Sequence, residues 1–245
     1  MNRIVTYQKH LLPYWLSSHN VNTIPYGEIK KIWKKDINNN TIFSRVPLKD
    51  TYITEEGIID DNNQYISKER AVLIQTMDNY TIINDNYPFI PNITPDKAGC
   101  GENIYVNGIN TKNTYIGDIF KTNSGVLLQV TSPRKPCTRW TRKYKDQTLR
   151  LFILRNTLGG IFLKVLNPGK IIEGDKIYLY KRLQTKWSIK LVGDKLYNRH
   201  NDDIYDFECW SGDDNELYEL YNLNELANRD WKNEIKRVID EKNEY

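Results

Sequence analysis

The chain has 245 residues, of which 39% are hydrophobic and 27% charged, for a net charge of +4. No stretch approaches the ~18 apolar residues that a membrane-spanning helix needs, and 17 Tyr, 6 Trp and 6 Phe demand a packed core, which excludes wholesale disorder. Three cysteines without a CxxC pair and three scattered histidines exclude a disulfide framework and a zinc site of ordinary spacing; with no signal-like apolar core at the N-terminus, they point to a reducing, cytoplasmic setting.

Residues 1–50 alternate short apolar runs with turn residues: Pro13, Pro25–Tyr26–Gly27, Asn38–Asn40 and Pro47. Short strands are expected from Tyr52 onward. Ala71–Gln75 reads as a buried strand, and Pro88, Pro91 and Pro95 hold an extended segment. Asn103–Val106, Asn107–Gly108 and Gly117–Phe120 together carry a hairpin signal. Gly125–Thr131, Leu149–Leu154, Gly160–Val165, Lys170–Ile172 and Ile177–Tyr180 continue the series, with Asn167–Gly169 and Gly174–Asp175 as turns. Repeated short strands with tight turns predict a closed or nearly closed antiparallel barrel.

Near residue 183 the period changes. Leu217, Leu220, Leu223 and Leu226 recur every three residues, and Trp231, Ile235, Val238 and Ile239 fall on one helical face. Residues 217–241 are therefore expected to be mostly helical. Charge changes at the same place. Residues 184–245 carry 9 Lys and Arg against 15 Asp and Glu, a net of −6, which leaves +10 on 1–183. The basic body suits an anion, either nucleic acid or a phosphorylated small molecule. Asp202, Asp203, Asp213 and Asp214 lack calcium-loop spacing and read as a solvated surface.

The chemistry concentrates in Thr131–Lys145, TSPRKPCTRWTRKYK. Cys137 sits among Arg134, Lys135, Arg139, Arg142 and Lys143, and follows Pro133 and Pro136, which hold the chain extended directly after a buried strand. Neighbouring cations favour a thiolate, which can bind a soft metal, carry a persulfide sulfur or act as a nucleophile. The same cations, Arg134 among them, suit a phosphate. The bland alternative is a basic surface loop with an incidental cysteine. Gly99–Asn103 reads as a tight glycine turn, or as Asn103 and backbone N–H groups aimed at a polar ligand. Lys68–Val72 puts Arg70 at the mouth of a buried strand, either as a site residue or in a surface ion pair. Cys100 and Cys209 lie beside carboxylates (Glu102, and Asp206 with Glu208) and are assigned to packing.

In order, SKERAVL, CGENIYVNGI, TSPRKPC and GIFLKVLNPGKIIEGDKI resemble the successive motifs of MOSC domains, the fold of the molybdenum-cofactor sulfurase C-terminus. Upstream, NTIPYG, IFSRVPL and EEGIIDDNNQ resemble the entry of stand-alone bacterial MOSC proteins, so the resemblance covers roughly residues 20–182. LNELANRDWKNEIKR faintly resembles the helical extension of the MOSC proteins that confer resistance to N-hydroxylated bases. The resemblance implies a mainly β, antiparallel MOSC-type β-barrel over 20–182. An N-terminal segment, 1–19, would precede it and an acidic, mainly helical extension, 183–245, would follow.

It further implies binding of the molybdenum cofactor (molybdopterin), a pterin dithiolene with a terminal phosphate. Cys137 matches the family cysteine that ligates molybdenum or carries sulfur. Arg70 matches the basic residue of the RAV motif, and Asn103 the Asn of GEN. Arg45, spaced RxP to Pro47, stands where relatives usually have Lys. Each is expected to contact the pterin or its phosphate. The chain departs from the pattern at Tyr65–Ile66–Ser67, where many relatives carry HGG.

Three readings follow. The first is a molybdenum oxidoreductase that reduces N-hydroxylated compounds, fed by an external electron-transfer protein. The second is a non-catalytic cofactor- or sulfur-carrier protein. A nucleic-acid-binding barrel, with Trp140 and Tyr144 as stacking groups, ranks third because the tail is acidic. No membrane partner is expected, and the C-terminal helix offers a surface for a homo-oligomer.

Overall fold

A computed structural model describes residues 24–39, 41–61, 67–91, 93–197, 210 and 212–243. Segment 1–19, Tyr65–Ile66, Asp202, Asp203 and Cys209 lie outside the described residues.

Strand β1 (Gly27–Lys35) starts as an alternating strand. A register shift against its neighbour between Ile29 and Lys31 resets the alternation, so Ile29 and Ile32 both reach the core. β2 (Arg45–Leu48) pairs with β1, and β3 (Asp50–Thr54) and β4 (Gly57–Ile58) follow. β5 (Val72–Thr76) is buried along its whole length, as expected of a strand covered on both faces. Thr76 then caps α1 (Met77–Asn86) by accepting from Asn79 N at 3.2 Å. This helix lies in the crossover that brings β6 (Ile104–Asn107) parallel to β5. The remaining strands are β7 (Ile119–Thr122), β8 (Leu127–Pro133), β9 (Ile161–Asn167), β10 (Gly169–Ile172) and β11 (Lys176–Lys181).

The large sheet runs β11-β7-β8-β9-β5-β6-β1-β2, and β11 also pairs with β1, so the order returns on itself. β10, β3 and β4 form a smaller antiparallel sheet. The mainly β expectation with C-terminal helices therefore holds, but the large sheet is mixed, because β5 and β6 run parallel.

Two local expectations fail for identifiable reasons. Asn107–Gly108 does not join a hairpin, since β6 pairs with β5 and β1. Gly108 has φ +86°, and a Cβ there would sit 2.9 Å from Tyr26 O, so this glycine serves a close backbone approach. Leu149–Leu154 is helical, within α3 (Gln147–Arg155). Asp146 caps α3 by accepting from Leu149 N at 2.9 Å, and Leu149 and Ile153 turn one face inward at helical spacing. A short apolar run carries no strand signal of its own. A further helix, α2 (Arg139–Tyr144), follows the extended Pro133–Pro136 segment in the second half of the basic stretch.

The C-terminal helices are α4 (Ile189–Tyr197), α5 (Asp214–Tyr221) and α6 (Asn233–Asn243), with a π-helical turn at Asn228–Lys232 before α6. Trp231, Ile235, Val238 and Ile239 are all buried, as their spacing foretold. They join one apolar core with the strand residues Ile29, Val72, Leu128 and Ile161. A second cluster gathers Phe43, Tyr80, Ile83, Cys100, Trp140, Leu149 and Ile153 beneath α1, α2 and α3. No helix among the described residues is long and apolar enough to cross a membrane.

Candidate functional site

β8 delivers the central residues. Its exit is pinned where Arg134 N donates to Gly160 O at 2.9 Å. A Cβ on Gly159 would lie 2.2 Å from Arg134 O, so only glycine permits this approach. The Arg134 side chain turns back into the protein. It donates from Nη1 to the carbonyl of Cys100 and, at 3.5 Å, to Gly159 O, with its guanidinium 5.6 Å from the Trp140 ring. Only 9% of the residue is exposed, and burial pushes its ionisation down. Among the described residues no carboxylate forms an ion pair with it. Three residues on, Cys137 is exposed, and its carbonyl accepts from Trp140 N as α2 begins.

Arg45 enters from β2. Its Nε donates to Ile42 O at 3.0 Å, Nη2 donates to Gly101 O at 2.8 Å, and Nη1 pairs with Asp61 at 3.4 Å. Both side chains of that pair are almost wholly buried. Asp61 also accepts from Lys35 N at 2.5 Å and from Asn103 Nδ2 at 2.8 Å. Asn103 Oδ1 accepts from Leu73 N at 3.0 Å. Both ends of the Asn103 amide are thus committed to protein, and the residue ties β5 and β6 to the Asp61 turn. Arg70 ends the 3-10 turn Lys68–Arg70 before β5. Its guanidinium lies 4.3 Å over the Phe162 ring, and Nη1 pairs with Asp230.

All five sequence-derived residues, Arg45, Arg70, Asn103, Arg134 and Cys137, line one cleft of about 430 Å³, with Lys135, Arg139 and Arg142. Lys143 does not join them. Its ammonium sits 4.2 Å over the Phe43 ring, lining a neighbouring groove with Arg139 and Arg142, and burial lowers its pKa to about 8. Arg150 from α3 interacts electrostatically with Cys137 instead. Cys100 is fully buried, and burial pushes its thiol up to about 12.

Asp61, Phe162 and Asp230 escape a reading of the sequence, because each works through a residue distant in the chain. DDNNQ carried a resemblance, but nothing local marks Asp61 as a buried acid. Among the described residues no group of three His, Cys, Asp or Glu is arranged to hold a metal ion. A metal at this cleft would have to bring ligands of its own and take Cys137 as the protein donor.

Residues 61–178 match the MOSC domain family model. The chain carries a MOSC domain. A protein named "Reductase" from Gibberella moniliformis is 34% identical over 141 residues, which is 56% of this chain and 25% of that protein. YflK from Bacillus subtilis is 30% identical over 111 residues, 44% of this chain and 50% of YflK. The chain thus spans a quarter to a half of these curated relatives. Among solved structures, one described as a hypothetical protein aligns with TM-score 0.70 at 19% identity, covering 87% of this chain and 91% of its own. YiiM from Escherichia coli aligns with TM-score 0.65 at 18% identity, covering 87% of this chain and 94% of YiiM. At such identities these structures speak to the MOSC fold alone.

Proposed function

We propose that the cleft binds the molybdenum cofactor, with Cys137 as the protein ligand to metal or sulfur, and that the chain reduces N-hydroxylated compounds with electrons from a separate donor protein. The observation that carries this reading is Arg134, a buried cation with no carboxylate in ion-pair contact among the described residues and only buried Glu102 acting on it from a distance, facing a cleft that also holds an exposed thiol. A buried charge without a contacting counter-ion is costly, and a bound anion would supply one.

The residues fit the group. Arg134, Arg70, Lys135, Arg139 and Arg142 offer charge and hydrogen-bond donors for a phosphate, which arginine forks suit well. Phe162 and Leu73 provide apolar wall for a ring system. Arg45 and Asn103 act one layer back by holding the Gly101 and Leu73 backbone in place. When bound, the cofactor would supply a redox centre that the chain lacks. Cys137, on the coil between Pro136 and α2, would present its sulfur from the cationic side of the cleft.

Elemental analysis of protein from a cofactor-competent host tests this. Stoichiometric molybdenum is expected in the native chain and none in Cys137→Ala. An exposed thiol contributes little packing, so stability should change by less than about 0.5 kcal/mol. Bound pterin without turnover would favour the sulfur- or cofactor-carrier alternative. Full molybdenum loading in Cys137→Ala would remove the cysteine from the proposal.

A further inference from the structure

The C-terminal extension places one acid in the cationic cleft. Of the described residues that line it, Asp230 is the single carboxylate against Arg45, Arg70, Arg134, Lys135, Arg139 and Arg142. Asp230 sits in the π-helical turn Asn228–Lys232 with φ +68°, a left-handed conformation that a non-glycine residue adopts at a cost.

Other residues hold the turn. Asn228 donates to Glu69 from its backbone N at 3.0 Å and from Nδ2 at 2.6 Å. Ala227 N donates to Thr131 O at 3.1 Å, and the buried Trp231 donates from Nε1 to Pro133 O at 2.9 Å. None of these anchors uses the Asp230 side chain, whose carboxylate pairs with Arg70. Asn228 and Asp230 therefore grip the neighbouring residues Glu69 and Arg70, but only the second grip reaches the cleft.

We infer that Asp230 is a positioning and selectivity residue: an internal anion that holds Arg70 over Phe162 and yields it to an incoming phosphate. This rests on the anion-binding reading above. Its carboxylate repels every anion that enters. A multiply charged phosphate pairs with the remaining cations and outcompetes Asp230 for Arg70. A singly charged anion such as acetate has less to offer in exchange, so it is excluded. The device resembles like-charge exclusion at a binding interface, where a repulsive element sharpens choice at some expense of affinity.

Titration calorimetry with inorganic pyrophosphate on the full chain, native and Asp230→Asn, tests this. Protection of Cys137 from iodoacetamide locates the binding. The variant should bind about fivefold tighter at low salt, the worth of a partly exposed ion pair, and the gain should shrink as salt screens it. Cys137 should be protected at correspondingly lower pyrophosphate. Asp230→Gly removes the same carboxylate while relieving the positive φ, so it should fold at least as stably and also bind tighter. A residue that merely braced the turn would lower the melting temperature of Asp230→Asn and leave affinity unchanged or weaker. If the native chain binds and both variants bind equally or more weakly, the anion site stands and the role of Asp230 is overturned. If no chain binds pyrophosphate and Cys137 is never protected, the anion reading fails and this inference falls with it.

Discussion

Asp61 is the residue on which the back of the cleft depends. Its carboxylate faces Arg45, Asn103 and the Lys35 backbone at once, and the Arg45–Asp61 side chains are 3% and 2% exposed. Removing one member of such a buried pair leaves an uncompensated charge, which costs about 3–5 kcal/mol. Asp61→Asn keeps the volume and removes the charge, so urea denaturation should show a loss of about 3 kcal/mol. A variant as stable as the native chain would mean that Arg45 is neutralised elsewhere, with buried Glu102, which also acts on it electrostatically, as the candidate. Cys137 and Cys100 show the opposite relation between site and packing. The first is exposed in the cleft, and the second is locked in the apolar cluster behind it with its thiol held protonated.

Within the large sheet, the β1–β11 seam is the shortest, pairing Gly27 with Ile177 and Glu28 with Lys176. A carboxylate reinforces it. Hydrogen bonds from Lys176 first, at 2.7 Å, and then from Lys30, at 2.8 Å, draw Glu28 from 4.5 down to about 2. A depressed carboxylate stabilises the fold above its unfolded value, and that contribution disappears as pH falls from 4.5 towards 2. Glu28→Gln should therefore melt below the native chain at pH 7 and alongside it at pH 2. Because the pair lies at the surface, salt should narrow the difference at pH 7. A gap that persists at pH 2 would place the effect in packing instead.

Over the whole molecule, strands and C-terminal helices share a single apolar core. The helices also reach the cleft through Asp230, while Glu234 and Trp231 fasten them beside it by bonding Lys135 and Pro133. Trp231 is 2% exposed, packs against Tyr197 and donates to the end of β8. Trp231→Ala should cost about 3–5 kcal/mol. With strands and C-terminal helices packed in the same cluster, unfolding by circular dichroism and by tryptophan fluorescence should stay coincident in the variant. Separate transitions would show that the helical extension is an independent unit.

Local chemistry was enough to read some of this. Gly, Pro and Asn punctuation marked most strands, the Trp231–Ile239 spacing marked a buried helical face, and the order of short motifs marked a MOSC domain and five residues of its cleft. These signals are local because turn conformation and amphipathic period depend on neighbours in the chain. Long-range pairing decided the rest. The parallel β5–β6 pair depends on where a crossover lands, and Leu149–Leu154 became helix through a cap and a cluster it meets only after folding. Asn103, read as a ligand contact, spends its amide on Asp61 and Leu73. Arg70 meets its carboxylate 160 residues away, where Trp231 and Asn228 fix the turn that carries it. A charge declares itself in sequence, but its partner is set by which surfaces the core brings together, and that is settled only when the chain has packed.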